Sequence, residues 1–251
     1  MGEKEATQEM VYGIRPLMEA LISDKEIEKV FLQKGAGGKT FHELMPMLRE
    51  REIPFQLVPI EKLNRITRKN HQGVIAYISP VTFYSIEQLL PGIYEAGRTP
   101  FILILDRITD VRNFGAILRT AESAGVDAVL IPSKGAAQLN SGTIKSSAGA
   151  IYKIPICREH NLKEAINFLK DSGLHIAAVS EKAEKVHFDE GLTGPLALIM
   201  GSEGEGISGE YLKLADVKVR IPMLGTIASL NVSVAAAVLL YEVVRQRESN
   251  A

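Results

Sequence analysis

The second half of the chain contains four short runs of nearly continuous apolar residues, and these runs constrain its fold more than any other feature. Strands that are apolar on both faces are typical of a parallel sheet covered by helices on both sides. Stretches with helical periodicity separate the runs, as such a sheet requires. The sequence therefore predicts the α/β class for this half. The apolar runs cover 101–106, 128–132, 175–180 and 196–200, and the helical stretches cover 114–124, 162–171 and about 230–246.

The first half has a more compact pattern of the same kind. Helical stretches at 14–22 and 41–51 alternate with strand-like segments at 30–32, 55–58 and 73–78, which predicts a small α/β domain.

The stretch between the two halves carries three prolines at 80–100 and no basic residue before Arg98. Prolines spaced in this way are typical of a linker that contains a short helix. We therefore expect an N-terminal domain at 1–80, a linker at 81–98 and a parallel-sheet domain at 99–251. The alternative for the middle stretch is a surface excursion within one domain.

Charge and cysteine content exclude several classes of protein. Lys and Arg total 29 against 30 Asp and Glu, so the chain is not a polycation of the histone type. The single cysteine, Cys157, permits no internal disulfide and no cysteine-built metal site, and it suits a reducing cytosol. No apolar stretch reaches the roughly 18 residues that a membrane span requires. We expect a soluble, cytoplasmic protein that binds no metal and no membrane.

One local segment is strongly basic. Residues 62–73 carry four cationic side chains, a histidine and two asparagines, with no acid. One interpretation is a solvated loop. The other is an edge that contacts nucleic acid, because Lys and Arg bind phosphates and amides can read base edges. The candidate RNA contacts are Arg65, Arg68 and Lys69, together with Arg112 in the second half.

Loops at the carboxyl ends of parallel strands are where such sheets bind ligands. No GxGxxG follows the first strand, at 101–106, and GxxxxGK[ST] does not occur in the chain, which argues against nicotinamide enzymes and P-loop NTPases. HExxH, and GxSxG after a strand, are also absent, which argues against zinc proteases and serine hydrolases. After the first strand, Asn113 is either the N-cap of the next helix or a site residue. Arg119, farther along that helix, either pairs with Glu122 or points toward an anionic ligand.

Two further segments carry polar residues at predicted strand ends. The loop 201–208 has three glycines within six residues, which let a backbone approach a ligand, and two acids, which argue against phosphate. The alternative is an exposed glycine-rich turn. In the last segment, Ser229, Asn231 and Ser233 cluster at the start of a helix. One of them caps the helix, and at least one of the others is expected to face a site.

Taken together, four motifs resemble the SpoU/TrmH family of S-adenosylmethionine-dependent RNA 2′-O-ribose methyltransferases. They occur in the family's order within about 99–247: DRITDVRNFGAILRTAESAG, SSAGAIYKIP, LIMGSEGEGIS and IPMLGTIASLNVSVAAAVLLYE. The N-terminal VYGIRPLMEAL and NHQGVIAYI look like that family's small substrate-binding domain, which is similar to ribosomal protein L30e. Val111 stands where the family usually has proline, which leaves the course of that loop open.

The resemblance implies a fold, a cofactor and an assembly. The fold is a C-terminal parallel-sheet α/β domain with a deep trefoil knot, plus the small RNA-binding α/β domain. The knot loops would lie around 201–206 and 221–231. The cofactor S-adenosylmethionine sits in the knot without a metal, and the enzyme is a homodimer. The resemblance is strongest to the subgroup that methylates a guanosine ribose in 23S ribosomal RNA. The alternatives are a tRNA 2′-O-methyltransferase and a noncatalytic RNA-binding ribosome-assembly factor that kept the fold.

The resemblance also implies roles for particular residues. The catalytic positions are Arg119, Asn113, Glu203, Ser229 and Asn231, and the cofactor-binding positions are Gly201, Glu203, Ile221, Met223 and Leu230. A guanidinium in water is a poor base, with a pKa above about 12. Arg119 is therefore either a base activated by an RNA phosphate or a clamp that holds the phosphate and polarises the 2′-oxygen.

Overall fold

The computed structural model describes residues 9–249, and the chain within it divides into two compact units. The first unit runs up to Thr82 and includes Leu139–Ser141, and the second takes the rest from Phe83 onward.

The first unit is a four-stranded mixed sheet in the order β1-β4-β2-β3, as far as the chain is described. Alternation along the strands divides its side chains between two faces. One face, with Val30, Leu32 and Ala76, packs on helices α1 and α2, and the other packs on α3. The elements are β1 (Met10–Tyr12), α1 (Ile14–Ile22), β2 (Ile27–Gln33), α2 (Lys39–Glu50), β3 (Phe55–Val58), α3 (Ile60–Ile66) and β4 (Val74–Ile78).

Helix α3 was not predicted and occupies part of the basic segment 62–73. Its apolar residues Ile60, Leu63 and Ile66 face the sheet, while the cations between them lie outside. The interpretation of this whole segment as a solvated loop is therefore wrong for its first part. The cations Lys62 and Arg65 concealed a short amphipathic helix whose apolar residues recur every third position.

The second unit is built on an eight-stranded sheet in the order β10-β12-β9-β11-β6-β7-β8-β5. Every pairing among its described strands is parallel, which confirms the predicted parallel sheet. The strands are β5 (Phe83–Tyr84), β6 (Phe101–Asp106), β7 (Ala128–Pro132), β8 (Ile156–Glu159), β9 (His175–Val179), β10 (Lys185–Val186), β11 (Leu196–Gly201) and β12 (Val217–Arg220).

Helices accompany this sheet as the alternating pattern predicts, and three of them share one apolar core cluster with the strands. They are α4 (Ile86–Glu95), α5 (Val111–Ser123), α6 (Ser141–Ser146), α7 (Leu162–Asp171), α8 (Gly209–Leu214) and α9 (Val232–Glu248), with 3₁₀ turns at Ala150–Tyr152 and His187–Asp189.

The segment predicted as a linker, 81–98, does contain the expected short helix, α4. However, strand β5 precedes that helix and pairs with β8, and Ile86, Leu90 and Ile93 are buried in the core of the second unit. Their spacing of four and three residues produces an apolar helix face. Most of the segment is therefore part of the second unit.

Candidate functional site

Two loops meet at the carboxyl edge of the second sheet because β6 and β11 are neighbours. The strands pair in register along their whole length, and Gly201 lies opposite Asp106 at the end. The chain leaving β11 therefore starts beside the chain leaving β6, which leads into α5. This is the edge at which parallel sheets place their ligand sites.

The loop after β11 folds tightly back on itself. Ser202 and Gly206 form an isolated bridge, with Gly206 N–H donating to the Ser202 carbonyl at 3.0 Å. A Cβ atom at Gly201 would lie 2.1 Å from the carbonyl carbon of Gly206. Glycine is therefore required at position 201 because the two backbone segments touch there. The loop is a packed turn with its own hydrogen bonds.

A charged cluster that the sequence did not predict holds this loop against β6. The buried Asp106 carboxylate accepts hydrogen bonds from the backbone N–H and the hydroxyl of Ser208, both at 2.7 Å. Arg107 contacts Asp106 and Glu205 and donates to the Gly206 carbonyl at 3.2 Å. The hydrogen bond that Arg107 donates to Asp106 raises the pKa of Arg107. An Asp at the end of an otherwise apolar strand was the signal available.

Helix α5 begins one turn earlier than expected, and its N-cap is Asp110. The Asp110 carboxylate accepts from the backbone N–H groups of Arg112 at 2.9 Å and Asn113 at 3.0 Å. These bonds, led by that from Asn113, lower the pKa of Asp110. The N-cap interpretation of Asn113 is thus wrong, and its side-chain amide is left for other contacts.

Asn113, Glu203 and Asn231 form one hydrogen-bonded network. The Oε1 atom of Glu203 accepts from Nδ2 of Asn231 at 2.7 Å, from Nδ2 of Asn113 at 3.2 Å and from the backbone N–H of Val232 at 3.2 Å. Nδ2 of Asn231 also donates to Oδ1 of Asn113 at 3.0 Å. Three segments, separated by 90 and 28 residues of sequence, therefore meet at one carboxylate.

Asn231 is also the N-cap of α9. Its Oδ1 atom accepts from the backbone N–H of Ser233 at 3.0 Å and of Val234 at 3.4 Å, and from the Ser233 hydroxyl at 2.6 Å. Asn231 thus uses its carbonyl oxygen for the helix and its amide nitrogen for Glu203. This division fixes the amide orientation and ties the start of α9 to the loop after β11.

The network has one unused acceptor. Within residues 9–249, Oε2 of Glu203 accepts no hydrogen bond, and the residue is exposed. A carboxylate whose Oε1 atom is held by amides can present Oε2 to a ligand that donates hydrogen bonds or carries positive charge. This agrees with the acid-containing character of the loop and disfavours phosphate at this position.

The stretch before α9 is exposed and has little internal bonding. No hydrogen bond of the described chain involves 224–229, and Ser229 lies outside the network. Ile221 and Met223 are half-buried, and Leu230 is 36% exposed. Unpaired backbone donors and acceptors next to apolar side chains suit a ligand with a flat ring and polar edges, and adenosine is of that kind. The residues present therefore fit S-adenosylmethionine.

Arg119 lies apart from this network. It is exposed, and within the described residues its guanidinium makes no hydrogen bond or ion pair. Glu122 instead pairs with Lys153 at 3.5 Å, so the predicted Arg119–Glu122 pairing is wrong. Six residues of helix place Arg119 about 120° around the axis from Asn113. The guanidinium is available to an anionic ligand, on another side of α5.

The predicted RNA contacts are all exposed. Arg65 lies in the last turn of α3, and Arg68 and Lys69 follow that helix. Arg112 is 86% exposed and lies 3.8 Å from Asp110. In the same basic segment, His71 contacts Asn64 at 2.9 Å, so one of the amides considered for base contacts is used within the fold.

The part of the chain that the structure describes contains no group of three or more His, Cys, Asp or Glu side chains arranged to hold a metal ion. Cys157 is buried, and burial raises the pKa of its thiol to about 12. Among the described helices, none combines the length and apolar character needed to cross a membrane.

Two family models match the chain, one in each unit. The model described as the SpoU rRNA Methylase family matches residues 100–241. The model described as RNA 2′-O ribose methyltransferase substrate binding matches residues 10–84.

Individual proteins match over nearly their full length. The 23S rRNA (guanosine-2′-O-)-methyltransferase RlmB of Photorhabdus laumondii is 37% identical over 96% of this chain and 99% of its own. A Staphylococcus haemolyticus protein named as a TrmH family tRNA/rRNA methyltransferase is 34% identical, over 95% of this chain and 96% of its own. The solved structure of the SpoU methyltransferase AviRb from Streptomyces viridochromogenes, in complex with AdoMet, is similar with a TM-score of 0.61. It is 25% identical and covers 97% of this chain and 92% of that chain.

Proposed function

The chain belongs to the SpoU rRNA methylase family, and from that premise we propose that it methylates the ribose 2′-hydroxyl of a guanosine in 23S ribosomal RNA. At the family level it is an RNA 2′-O-methyltransferase that uses S-adenosylmethionine. One observation carries the choice of substrate: the chain is similar over its full length, at 37% identity, to a protein named as a 23S rRNA guanosine-2′-O-methyltransferase.

The residues of the second unit would hold the cofactor as follows. The backbone of Gly201, Ile221 and Leu230 supplies hydrogen bonds, Met223 packs alongside, and Glu203 offers Oε2 to a donor. When bound, S-adenosylmethionine supplies a methyl group on a sulfonium, a good leaving group that needs no metal activation. The protein's contribution is to orient donor and acceptor, which lowers the entropic part of the barrier.

Asn113, Glu203 and Asn231 act as positioning residues in this proposal. Their network fixes where the loop after β11 stands relative to α5 and the start of α9. Ser229, which makes no contact with the network, is assigned to the substrate side. The deep trefoil knot stays a prediction, supported by the meeting of its two proposed loops, 201–206 and 221–231, at Glu203 and Asn231.

Arg119 is assigned to the RNA. Its exposed guanidinium, without a carboxylate partner in the described chain, suits a bidentate contact with a phosphate next to the target ribose. There it either polarises the 2′-oxygen or, activated by that phosphate, accepts the hydroxyl proton.

A homodimer is part of the proposal, and helix α9 supports it. Its inner residues, such as Leu239 and Leu240, are buried, whereas Val234 and Tyr241 are 49% and 50% exposed on the outside. The first half of α9 is apolar on both sides, and such a surface is normally covered on both sides. A second copy covering the outer side of α9 would also bring a second set of site residues close to the first.

The test is transfer of tritiated methyl groups from S-adenosylmethionine to ribosomal RNA fragments. Arg119→Ala is expected to reduce transfer to background while calorimetry shows unchanged S-adenosylmethionine binding, because the residue serves the RNA. Arg98→Ala is the matched control: this exposed arginine pairs with Asp127 away from the site and should retain full transfer. Undiminished transfer by Arg119→Ala would refute its assignment. Transfer to tRNA but not to ribosomal RNA would replace the proposed substrate.

A further inference from the structure

One face of the sheet in the first unit carries two tyrosines that are only partly covered. Across this face, Tyr77 on β4 lies between Met10 on β1 and Lys29 on β2, and the next row contains Tyr12, Ile75 and Phe31. Helix α3 covers the part around Phe31, which is 7% exposed. Tyr12 and Tyr77 pack against this cluster but stay only half-buried. We call this surface the tyrosine face.

Three lysines converge on the aromatic rings of this surface. The ammonium groups of Lys29 and Lys62 lie 4.9 and 4.7 Å from the centre of the Phe31 ring, and that of Lys69 lies 5.2 Å from the centre of the Tyr12 ring. They come from β2, from α3 and from the loop after α3, so the fold, and not a run of sequence, brings them together.

No carboxylate among the described residues forms an ion pair with these lysines. In the chain from residue 9 to residue 249, other lysines form ion pairs, such as Lys25 with Glu9, but Lys29, Lys62 and Lys69 do not. Two ammonium groups directed at one ring repel each other, and an aromatic face compensates only part of that cost. The arrangement therefore favours an anion that bridges them.

We propose that the tyrosine face binds single-stranded RNA, with unpaired bases stacked on Tyr12 and Tyr77 and their phosphates held by Lys29, Lys62 and Lys69. Aromatic rings beside cations without ion-pair partners suit single-stranded RNA. Every base can stack on a ring, and every phosphate in the backbone carries a negative charge. The inference rests on the proposed function and deepens it, because it names the form of RNA that the first unit recognises.

The same observations disfavour double-stranded RNA. In a helix the bases are stacked on one another, and proteins contact chiefly the sugar and phosphate surface, for which exposed aromatic rings are of little use. On the tyrosine face Lys69 would exchange the ring of Tyr12 for a phosphate, leaving that ring to a base. The target nucleotide is accordingly expected to lie beside an unpaired segment.

The first experiment measures binding of a fluorescein-labelled, unstructured 12-nucleotide RNA to the full chain by anisotropy at several salt concentrations. Each phosphate contact with a single strand contributes about 0.7 to the slope of log affinity against log salt. Replacing Lys29, Lys62 and Lys69 together by Ala should lower that slope by about 2. The control replaces Arg15, Lys39 and Arg49 by Ala, which removes the same charge from α1 and α2 on the other face of the sheet.

The second experiment separates stacking from charge. The double variant Tyr12→Leu/Tyr77→Leu keeps apolar side chains but removes the rings, and it should weaken binding about tenfold per ring. Tyr12→Phe/Tyr77→Phe keeps the rings and should bind like the parent protein. Thermal melting of each variant, together with its unchanged affinity for S-adenosylmethionine, shows that the fold is intact.

The outcomes distinguish this inference from the function on which it rests. Equal affinities for the Leu and Phe double variants, or equal salt slopes for the two triple variants, would overturn the tyrosine face as an RNA site, whatever the methyl transfer activity. Tighter binding of a 12-base-pair duplex of the same sequence would overturn it too. If the parent protein binds the single strand as expected but methylates no RNA, the proposed function fails and the inference stands as one about binding alone.

Discussion

The carboxylate of Glu203 joins three parts of the chain, and its effect can be tested at the scale of a single residue. It accepts hydrogen bonds from Asn113, Asn231 and the backbone of Val232 through one oxygen. Removing it leaves the start of α9 and the start of α5 without their common partner. Hydrogen bonds to a charged group contribute about 1.5 to 3 kcal/mol, less where water reaches them.

We therefore expect Glu203→Ala to lower the free energy of unfolding by about 1 kcal/mol and to abolish methyl transfer. Urea denaturation and the tritium assay measure the two effects. Glu205→Ala is the matched control two positions along the same loop: that carboxylate is 75% exposed, and without it Arg107 still has Asp106 and the Gly206 carbonyl as partners. A surface ion pair such as that of Glu205 with Arg107 contributes little. Equal loss of activity in both variants would mean that only the net charge of the loop matters.

The sequence allowed individual site residues to be predicted where they lie in a family motif. Asn113, Glu203 and Asn231 were singled out and do contact one another, although their catalytic roles stay predictions. Asp106 and Arg107 were missed because their function is to hold a loop, and the partners of a holding residue depend on the register of β6 and β11. The side chains of Ser229 and Arg119 make no hydrogen bond or ion pair within the described residues, and their roles stay predictions.

At the scale of elements, the close approach of α5 and α6 depends on Gly115. A Cβ atom there would lie 1.9 Å from Oγ of Ser146, whose hydroxyl also donates to the Val111 carbonyl at 3.0 Å. These residues belong to two of the sequence motifs that carry the family resemblance. The two motifs are thus in contact through close packing and through a hydrogen bond.

We expect Gly115→Ala to destabilise the protein by about 1 to 3 kcal/mol, since α5 must shift to admit the methyl group. Gly92→Ala, in the exposed part of α4 where a Cβ meets nothing within 4 Å, is the control and should stabilise by about 0.5 to 1 kcal/mol. Both values come from denaturant unfolding. A neutral Gly115→Ala would show that the two helices are not in tight contact in solution.

Helices and strands were predictable where the apolar period was strong. The predicted bounds of 14–22 and 162–171 coincide with α1 and α7, and 101–106 with β6. Helix α3 was hidden by its cations, and β5 by the prolines around it. In both cases the deciding contact is with a partner distant in sequence, namely Phe31 for α3 and β8 for β5. Local pattern alone does not contain that information.

At the scale of the whole molecule, a net charge of −1 does not oppose RNA binding, because the cations are placed unevenly. Among the described side chains, Lys29, Lys62 and Lys69 converge without a paired carboxylate, and Arg119 is likewise unpaired. Elsewhere, cations such as Lys170 and Arg245 are neutralised by nearby carboxylates. A protein that presents one ribose to a cofactor needs only a few well-placed charges.

The proposed homodimer can be tested by a charge placed at its expected interface. Tyr241→Glu places a charge on the outer side of α9 and should convert a dimer to monomers in sedimentation equilibrium, with loss of methyl transfer. Ile22→Glu is the matched control, because Ile22 is 68% exposed at the end of α1 in the first unit. A monomeric parent protein, or a Tyr241→Glu variant that stays dimeric and active, would remove the homodimer from the account.

The most direct measurement is a map of methylated nucleotides in 23S ribosomal RNA incubated with the protein and S-adenosylmethionine. Nuclease digestion and mass spectrometry distinguish a 2′-O-methyl ribose from a methylated base, because only the former adds its mass to the sugar fragment. We expect one new 2′-O-methylguanosine that lies beside an unpaired segment and is absent with Arg119→Ala. Methyl groups on bases, or none on RNA although S-adenosylmethionine binds, would contradict this expectation.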